Sequence, residues 1–425
     1  MIAWLLISFF VLLFLGVPIA MSLGLSAMGG ILFLGGGSTV TIAQRMFEGM
    51  NSFALLAIPL YTFAGFTMSK GGISKRLMDF CYSIVGHIYG GLAHVNVLSS
   101  MIFAGISGSA VADTAGVSGM FMPEMVRKGY SKNFTVAVTA ISSTIGNIIP
   151  PSIPMVVIAG ICGISTGKLF LGGIIPGVLC GLAQMIVSYF MAKKEGVPKE
   201  PGHFTIGPVL HGLWESWPAL LMPIIIVGTI TMGIVSPTEA GVIAVVYGLF
   251  AGGIIYRELK WEDIKFAFAE TVRTSGRIFI VIGAAKLYTV MLTTAGFDKW
   301  VAKTMLGFST NPTVILIVIL LIFFIVTMFM ESIATLTLFM PILYPIALGV
   351  GINPIVLSVL ITVVIGVGLV TPPVGMCIYV ACDLMDVTVG EVFPTLVPFI
   401  AATFVCIALM VAFPQLILLP TYLMA

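Results

Sequence analysis

From Thr313 to Met330 the chain runs through eighteen residues without a single charge. Lipid offers no partner to backbone N–H and C=O groups, so an apolar run of this length is viable in a bilayer only as a helix that bonds internally. The same character recurs throughout the 425 residues, of which 59% are hydrophobic and 8% charged, against about 25% charged in an ordinary soluble domain. Apolar segments occupy 2–34, 50–69, 92–125, 134–165, 169–192, 217–235, 240–256, 276–295, 313–350, 354–385 and 392–423. None shows the two-residue alternation of a barrel strand. The reading is an all-α polytopic membrane protein. Met1 leads directly into apolar residues with no basic stretch and no small-residue cleavage site, so the first run is expected to be a retained span and not a signal peptide.

Composition also removes several function classes. The net charge is +2 with no basic stripe, so nucleic acid is not an expected partner. Cys81, Cys162, Cys180, Cys377, Cys382 and Cys406 are scattered through apolar runs without a Cys-x-x-Cys and are expected to pack as small buried hydrophobes. His87, His94, His203 and His211 include no His-Glu-x-x-His, and the acids are dispersed. A membrane-embedded enzyme would need clustered groups, so no enzymatic activity is expected.

Helix breakers recur at matched places. Phe121-Met122-Pro123 is followed by Pro150-Pro151, and Phe339-Met340-Pro341 by Pro372-Pro373. Two successive prolines remove two backbone donors and clash with the preceding turn, so a helix must break there. Segments 134–165 and 354–385 are therefore read as discontinuous helices. Segments 92–125 and 313–350 are too long for one straight span and too short for two. Gly105-Ile106-Ser107-Gly108-Ser109 with Asp113 lies inside the first, and Glu331-Ser332 with Thr335 and Thr337 inside the second. Such centres suit re-entrant hairpins with non-helical tips, tolerated where protein or water covers them. The Phe-Met-Pro triplets would mark where each hairpin turns back towards its surface.

The parts then fall into two halves of nearly equal length. Residues 50–192 run span, arm (72–90), hairpin (92–125), broken helix (134–165), span. Residues 276–420 run span, arm (297–312), hairpin (313–350), broken helix (354–385), span. Residues 1–49 form an N-terminal scaffold span, and 193–275 a central linker with scaffold spans. Residues 258–265 read as an interfacial amphipathic segment. An odd number of crossings between corresponding parts makes the halves inverted copies. Arg127-Lys128-Gly129-Tyr130-Ser131-Lys132 follows the first hairpin, whereas 346–353 after the second carries no charge. The positive-inside rule places the first loop in the cytoplasm, with Lys193, Lys194, Lys199 and 257–265, and the second outside. The N-terminus is then cytoplasmic and the C-terminus external. Trp214, Trp217 and Trp261 stand near span ends as interface aromatics do.

Unwound segments at matched positions in two halves mark the binding site of a secondary transporter. Their freed carbonyls and nearby hydroxyls suit Na⁺, and half-helix N-termini suit an anion. The first candidate Na⁺ site combines Ser107, Ser109, Gly146 and Asn147. The second combines Ser332, Thr335, Gly366, Gly368 and Thr371. The candidate substrate-facing set is Ser107, Ser109, Asp113, Asn147, Ser152 and Thr371. Any one of these hydroxyls could simply pack between helices; the matched sets point to ligation. Asp113 and Glu331 are acids at membrane depth, where acids are rare and functional. Lys286 faces a partner subunit or pairs with an acid. Ser236-Pro237-Thr238-Glu239 reads as a capping box, and Asn311-Pro312 and Asn353-Pro354 as helix starts.

Together these residues resemble the large membrane subunit of tripartite ATP-independent periplasmic (TRAP) transporters, over essentially the whole chain. The resemblance is carried by Leu15-Gly16-Val17-Pro18-Ile19-Ala20, by Gly105-Ile106-Ser107-Gly108-Ser109-Ala110 with Asp113, and by Ile148-Ile149-Pro150-Pro151-Ser152. Thr371-Pro372-Pro373-Val374-Gly375 and Ser236-Pro237-Thr238-Glu239-Ala240 complete it, the latter with Ser where the family has Thr. It implies an elevator-type transporter in the bacterial cytoplasmic membrane. Two or more Na⁺ would drive uptake of an organic acid anion, of the sialic acid or C4-dicarboxylate class. The implied partners are a periplasmic substrate-binding protein and a small membrane subunit that is not part of this chain. The hairpins and breaks carry no basic residue, which favours a bulky mono-acid such as sialic acid over a dianion. The alternative is a stand-alone sodium–carboxylate symporter of the same architecture.

Overall fold

A computed structural model describes residues 1–34, 39–197 and 205–424; Lys199 and His203 fall outside them. Every regular element among the described residues is helical. Seven of these helices are long and apolar enough to cross a membrane. The exterior is rich in exposed apolar side chains, including Phe14, Phe33, Phe190, Ile224 and Val405, a surface suited to lipid and not to water. The chain is a multi-pass membrane protein.

At the N-terminus the chain turns at Gly16, whose φ is +80°. Helices Ile2–Phe14 and Ile19–Leu34 therefore pack as a pair. A short amphipathic helix, Thr39–Met50, follows. The next span, Ala57–Lys70, packs against Pro237–Phe250. That helix opens with a complete capping box: the Glu239 amide donates to Ser236 Oγ at 3.3 Å, and the Ser236 amide to Glu239 Oε2 at 2.6 Å. Asn311 and Asn353 cap the helices that open at Pro312 and Pro354. Residues 261–265 of the predicted amphipathic segment open a much longer helix. Helix Trp261–Thr294 runs unbroken for 34 residues, because 266–275 contain no Gly or Pro until Gly276 and carry the Glu270–Arg273 pair at 2.5 Å.

Each half contains a helix pair followed by an interrupted helix. The first pair is Gly91–Ser107 and Ala110–Arg127, joined through Gly108 and Ser109. The non-helical tip is thus shorter than 105–109. The second pair is Pro312–Thr327 and Ser332–Gly349. Pro123 and Pro341 lie inside the return helices, so Phe-Met-Pro marks no turn; the helices continue past it. The chain is broken where the Pro-Pro pairs stand. Lys132–Ser143 tightens into a 3₁₀ turn, Thr144–Asn147, and helix resumes at Ile153–Cys162. Pro354–Gly368 stops before the second pair and helix resumes at Met376–Met385. Both Pro-Pro bonds are cis. A short helix leads into each pair, Ile73–Val85 and Phe297–Phe308, each entered through a glycine at positive φ, Gly72 and Gly296.

The packing between halves is reciprocal. Met376–Met385, the resumed helix of the second break, packs on the first return helix, Ala110–Arg127. Ile153–Cys162, the resumed helix of the first break, packs on the second return helix, Ser332–Gly349. One hydrophobic core runs through both pairs and both breaks. A smaller one joins the N-terminal pair to Trp261–Thr294 and the second return helix, through Leu5, Phe9, Leu23, Tyr288 and Ala334.

Candidate functional site

The first tip is docked on the first break by the backbone. The Ile153 amide, just past the prolines, donates to the Gly108 carbonyl at 3.0 Å. Gly108 has φ +66°, and a Cβ there would collide with the Pro151 carbonyl oxygen, so the residue serves both the turn and the close approach. Ser109 caps the return helix. Ser152 caps the resumed helix, accepting from the Met155 amide at 3.3 Å and donating to the Asn147 carbonyl at 2.6 Å.

Around this junction the structure brings together Ser107, Ser109, Asp113, Gly146, Asn147 and Ser152. Ser107 Oγ donates to Asp113 Oδ1 and accepts from the Ser109 amide at 3.2 Å. Asn147 Oδ1 accepts from the Ala110 amide at 3.2 Å. A Cβ on Gly146 would run into Asp113 Oδ2, so the missing side chain is what lets the carboxylate sit against the break. Two atoms are left over: Asp113 Oδ2, an acceptor, and Asn147 Nδ2, a donor, are both buried without a hydrogen-bond partner. Leaving such groups unpaired costs about 1–3 kcal/mol each, and more for a charge. The junction thus leaves one acceptor and one donor unsatisfied by the protein.

The second junction repeats the backbone docking. The Met328 carbonyl accepts from the Val374 and Gly375 amides at 3.0 and 3.3 Å, again just past a proline pair. The hydroxyls and glycines of the sequence-predicted second set have these surroundings. Ser332 is buried at the start of the return helix, and Thr335 Oγ1 donates to the Glu331 carbonyl at 3.1 Å. Thr371 Oγ1 donates to the Val367 carbonyl at 2.7 Å. Gly368 permits close contact with Thr327, 2.7 Å from where its Cβ would lie. Gly366 faces Thr144 of the first break at 3.2 Å, which makes it a contact between the two interrupted helices.

Sequence reasoning noted Glu331 as an acid at membrane depth without seeing its capping role, and missed Thr144 and Cys377. Glu331 is the N-cap of the second return helix; its Oε2 accepts from the Ile333 and Ala334 amides at 3.0 and 3.4 Å. An acid followed by a hydrophobic helix was the available signal. Thr144 and Cys377 join the halves, the former against Gly366 and the latter through the Thr114 hydroxyl of the first return helix. No local pattern announces a contact of that kind.

With this geometry in place, comparison with known proteins is decisive. The DctM component model of the tripartite ATP-independent periplasmic transporter matches residues 6–416. The chain belongs to this family. It is 35% identical over 408 residues to the sialic acid TRAP transporter large permease SiaM of Vibrio cholerae, covering 96% of this chain and 95% of that one. It is also 35% identical to the C4-dicarboxylate TRAP transporter large permease DctM of Pseudomonas aeruginosa, over 95% of this chain and 94% of that one. The isethionate TRAP transporter permease DctMQ of Oleidesulfovibrio alaskensis is 37% identical over 92% of this chain, which spans 62% of that longer protein. The crystal structure of the Alcanivorax borkumensis YdaH transporter shares the fold, with a TM-score of 0.59 at 14% identity over 88% of this permease and 87% of that chain. The relatives are transporter permeases; this TRAP large permease is likewise a transport protein and not an enzyme.

Proposed function

We propose that this permease imports an organic acid anion across the bacterial cytoplasmic membrane, driven by a Na⁺ gradient and fed by a periplasmic binding protein. The observation that carries the reading is the pair of orphaned atoms at the first junction. An unpaired carboxylate oxygen calls for a cation, and an unpaired amide N–H a short way along the same junction calls for an acceptor such as a carboxylate. A cation and an anion held at one junction attract each other, so each raises the affinity for the other, as a symporter requires. The residues fit Na⁺: Ser107, Ser109, Asp113 and the Gly146–Asn147 carbonyls are oxygen donors, the kind a hard cation takes. Ser332, Thr335, Gly368 and Thr371 are proposed for a second ion at the other junction, with Gly366 shaping the contact between breaks. Ser152 and Thr371 stand beside the breaks as substrate-facing groups.

In this reading the two helix pairs are re-entrant hairpins of inverted repeats. They move with the interrupted helices as one body against the arms and outer spans, in an elevator motion. The reciprocal packing of each resumed helix on the opposite return helix supports a single moving body. A small membrane subunit completes the assembly. The substrate is drawn from the anions named for the relatives, with a bulky mono-acid favoured. Reconstitution into liposomes tests the reading. Uptake should require both the binding protein and the small subunit; uptake by this chain alone would establish the stand-alone symporter instead.

A further inference from the structure

The tips of the helix pairs and the breaks, 105–113, 144–152, 328–332 and 369–375, contain no Lys or Arg, yet an anion must be held at membrane depth. Lys286 lies in the apolar stretch of helix Trp261–Thr294, between buried Ala285 and Leu287. It is eight residues, about 12 Å, from the end of that helix. It lines a 190 Å³ cavity. One wall is Glu48, Gly49, Ser52 and Ile282, near the N-terminal scaffold; the other includes Gly160 of the helix resumed after the first break and Thr337 of the second return helix. The cavity therefore lies between the body proposed to move and the part proposed to stay.

Two features leave this lysine committed to the cavity. Gly49 presses on its stem: a Cβ there would lie 2.6 Å from Lys286 Cβ. The one acid in the lining, Glu48, forms its close ion pair with Arg45 at 2.7 Å, and Lys286 acts on it only as the weaker of its two positive neighbours. A cation at this depth is costly unless it meets a counter-charge.

We infer that Lys286 is the stationary positive charge that receives the acidic end of the transported anion in the cavity between the scaffold and the moving helices. The inference rests on the transport reading above and names the group that reading lacked. The volume is below the roughly 300 Å³ at which pockets begin to enclose a drug-sized molecule. The cavity thus accommodates the carboxylate or sulfonate end of a substrate, with Ser52 and Thr337 as hydroxyl partners. As the moving wall slides, the charge stays with the scaffold, so the anion is handed from Lys286 to the junction at Asn147.

The test uses the permease with its small subunit and binding protein in proteoliposomes, with radiolabelled sialic acid, succinate and isethionate as probes. Lys286→Met is expected to raise the KM for the transported anion about tenfold or more, the loss of one charged hydrogen-bond partner. The maximal rate and the Na⁺ half-saturation should change less than twofold. Lys286→Arg keeps the charge and should restore KM to within about threefold. Lys286→Gln, polar and of similar reach, replaces the methionine variant should that one fail to fold, with the same expected rise. An active wild type alongside a neutral variant of unchanged KM would overturn the role of Lys286 and leave the transport reading standing. A wild type that accumulates none of the three anions would remove the transport reading and this inference together.

Discussion

Gly146→Ala isolates the first junction with one added methyl group. Gly146 is fully buried in the 3₁₀ turn that precedes the prolines. The new Cβ would collide with Asp113 Oδ2 and stand 3.3 Å from the Ala110 amide nitrogen. Neither neighbour can yield cheaply. Asp113 is fixed by Ser107, and the Ala110 amide is bonded to Asn147 Oδ1 at 3.2 Å. Overpacking of this kind costs about 1–3 kcal/mol. If the displaced carboxylate is a Na⁺ ligand, that cost falls on ion binding, and each 1.4 kcal/mol is tenfold. The Na⁺ concentration for half-maximal uptake should therefore rise about fivefold to a hundredfold in reconstituted permease, measured by initial rates across a Na⁺ series. Gly116→Ala is the control, since a Cβ at Gly116 meets nothing within 4 Å. Its added helix propensity should leave stability equal or higher by up to about 1 kcal/mol. A Gly146→Ala protein whose Na⁺ dependence matches that of Gly116→Ala would refute the assignment of Asp113 and Gly146 to an ion site.

Ser152→Ala removes the cap of the resumed helix and the bond to the Asn147 carbonyl; unfolding in detergent should show a loss of about 1–2 kcal/mol, and an unchanged melting curve would show that the cap is dispensable. Maleimide should modify Cys162 before any other native thiol, because Cys162 is half-buried and Cys81, Cys180, Cys377, Cys382 and Cys406 are buried; peptide mapping of the first labelled residue checks this. Single cysteines placed at Lys128 and Gly351 in intact cells should be labelled by a membrane-impermeant reagent at Gly351 and not at Lys128, and equal labelling of both would remove the inverted arrangement of the halves.

The breaks were legible because their cause is covalent. Two successive prolines remove two donors and clash with the preceding turn, so Pro150-Pro151 and Pro372-Pro373 interrupt helix where a single proline need not. The grouping of Ser107, Ser109, Asp113, Gly146, Asn147 and Ser152 was legible because they lie in two short segments that one tip-to-break contact brings together. What escaped was tertiary. Gly366 was grouped with Ser332 and Thr335 because it precedes the second proline pair, but its open face meets Thr144 from the other half. Thr371 shares a residue type with the ligands sought, and its hydroxyl donates back to Val367 in the helix that ends at Gly368. Residues 258–265 have the composition of an interfacial helix, and nothing in their sequence tells that the helix continues to Thr294. Phe-Met-Pro drew attention as a repeat, but a proline within a membrane helix can be absorbed by its neighbours, and both return helices run on past it.

The central claim is that filling of the first junction by Na⁺ drives anion uptake. Its most direct measurement is the initial rate of anion uptake into proteoliposomes holding the permease, small subunit and binding protein, under an inward Na⁺ gradient and under the same gradient of K⁺. The expected result is accumulation above the external concentration with Na⁺ and no net accumulation with K⁺. Equal accumulation with both ions would contradict the account.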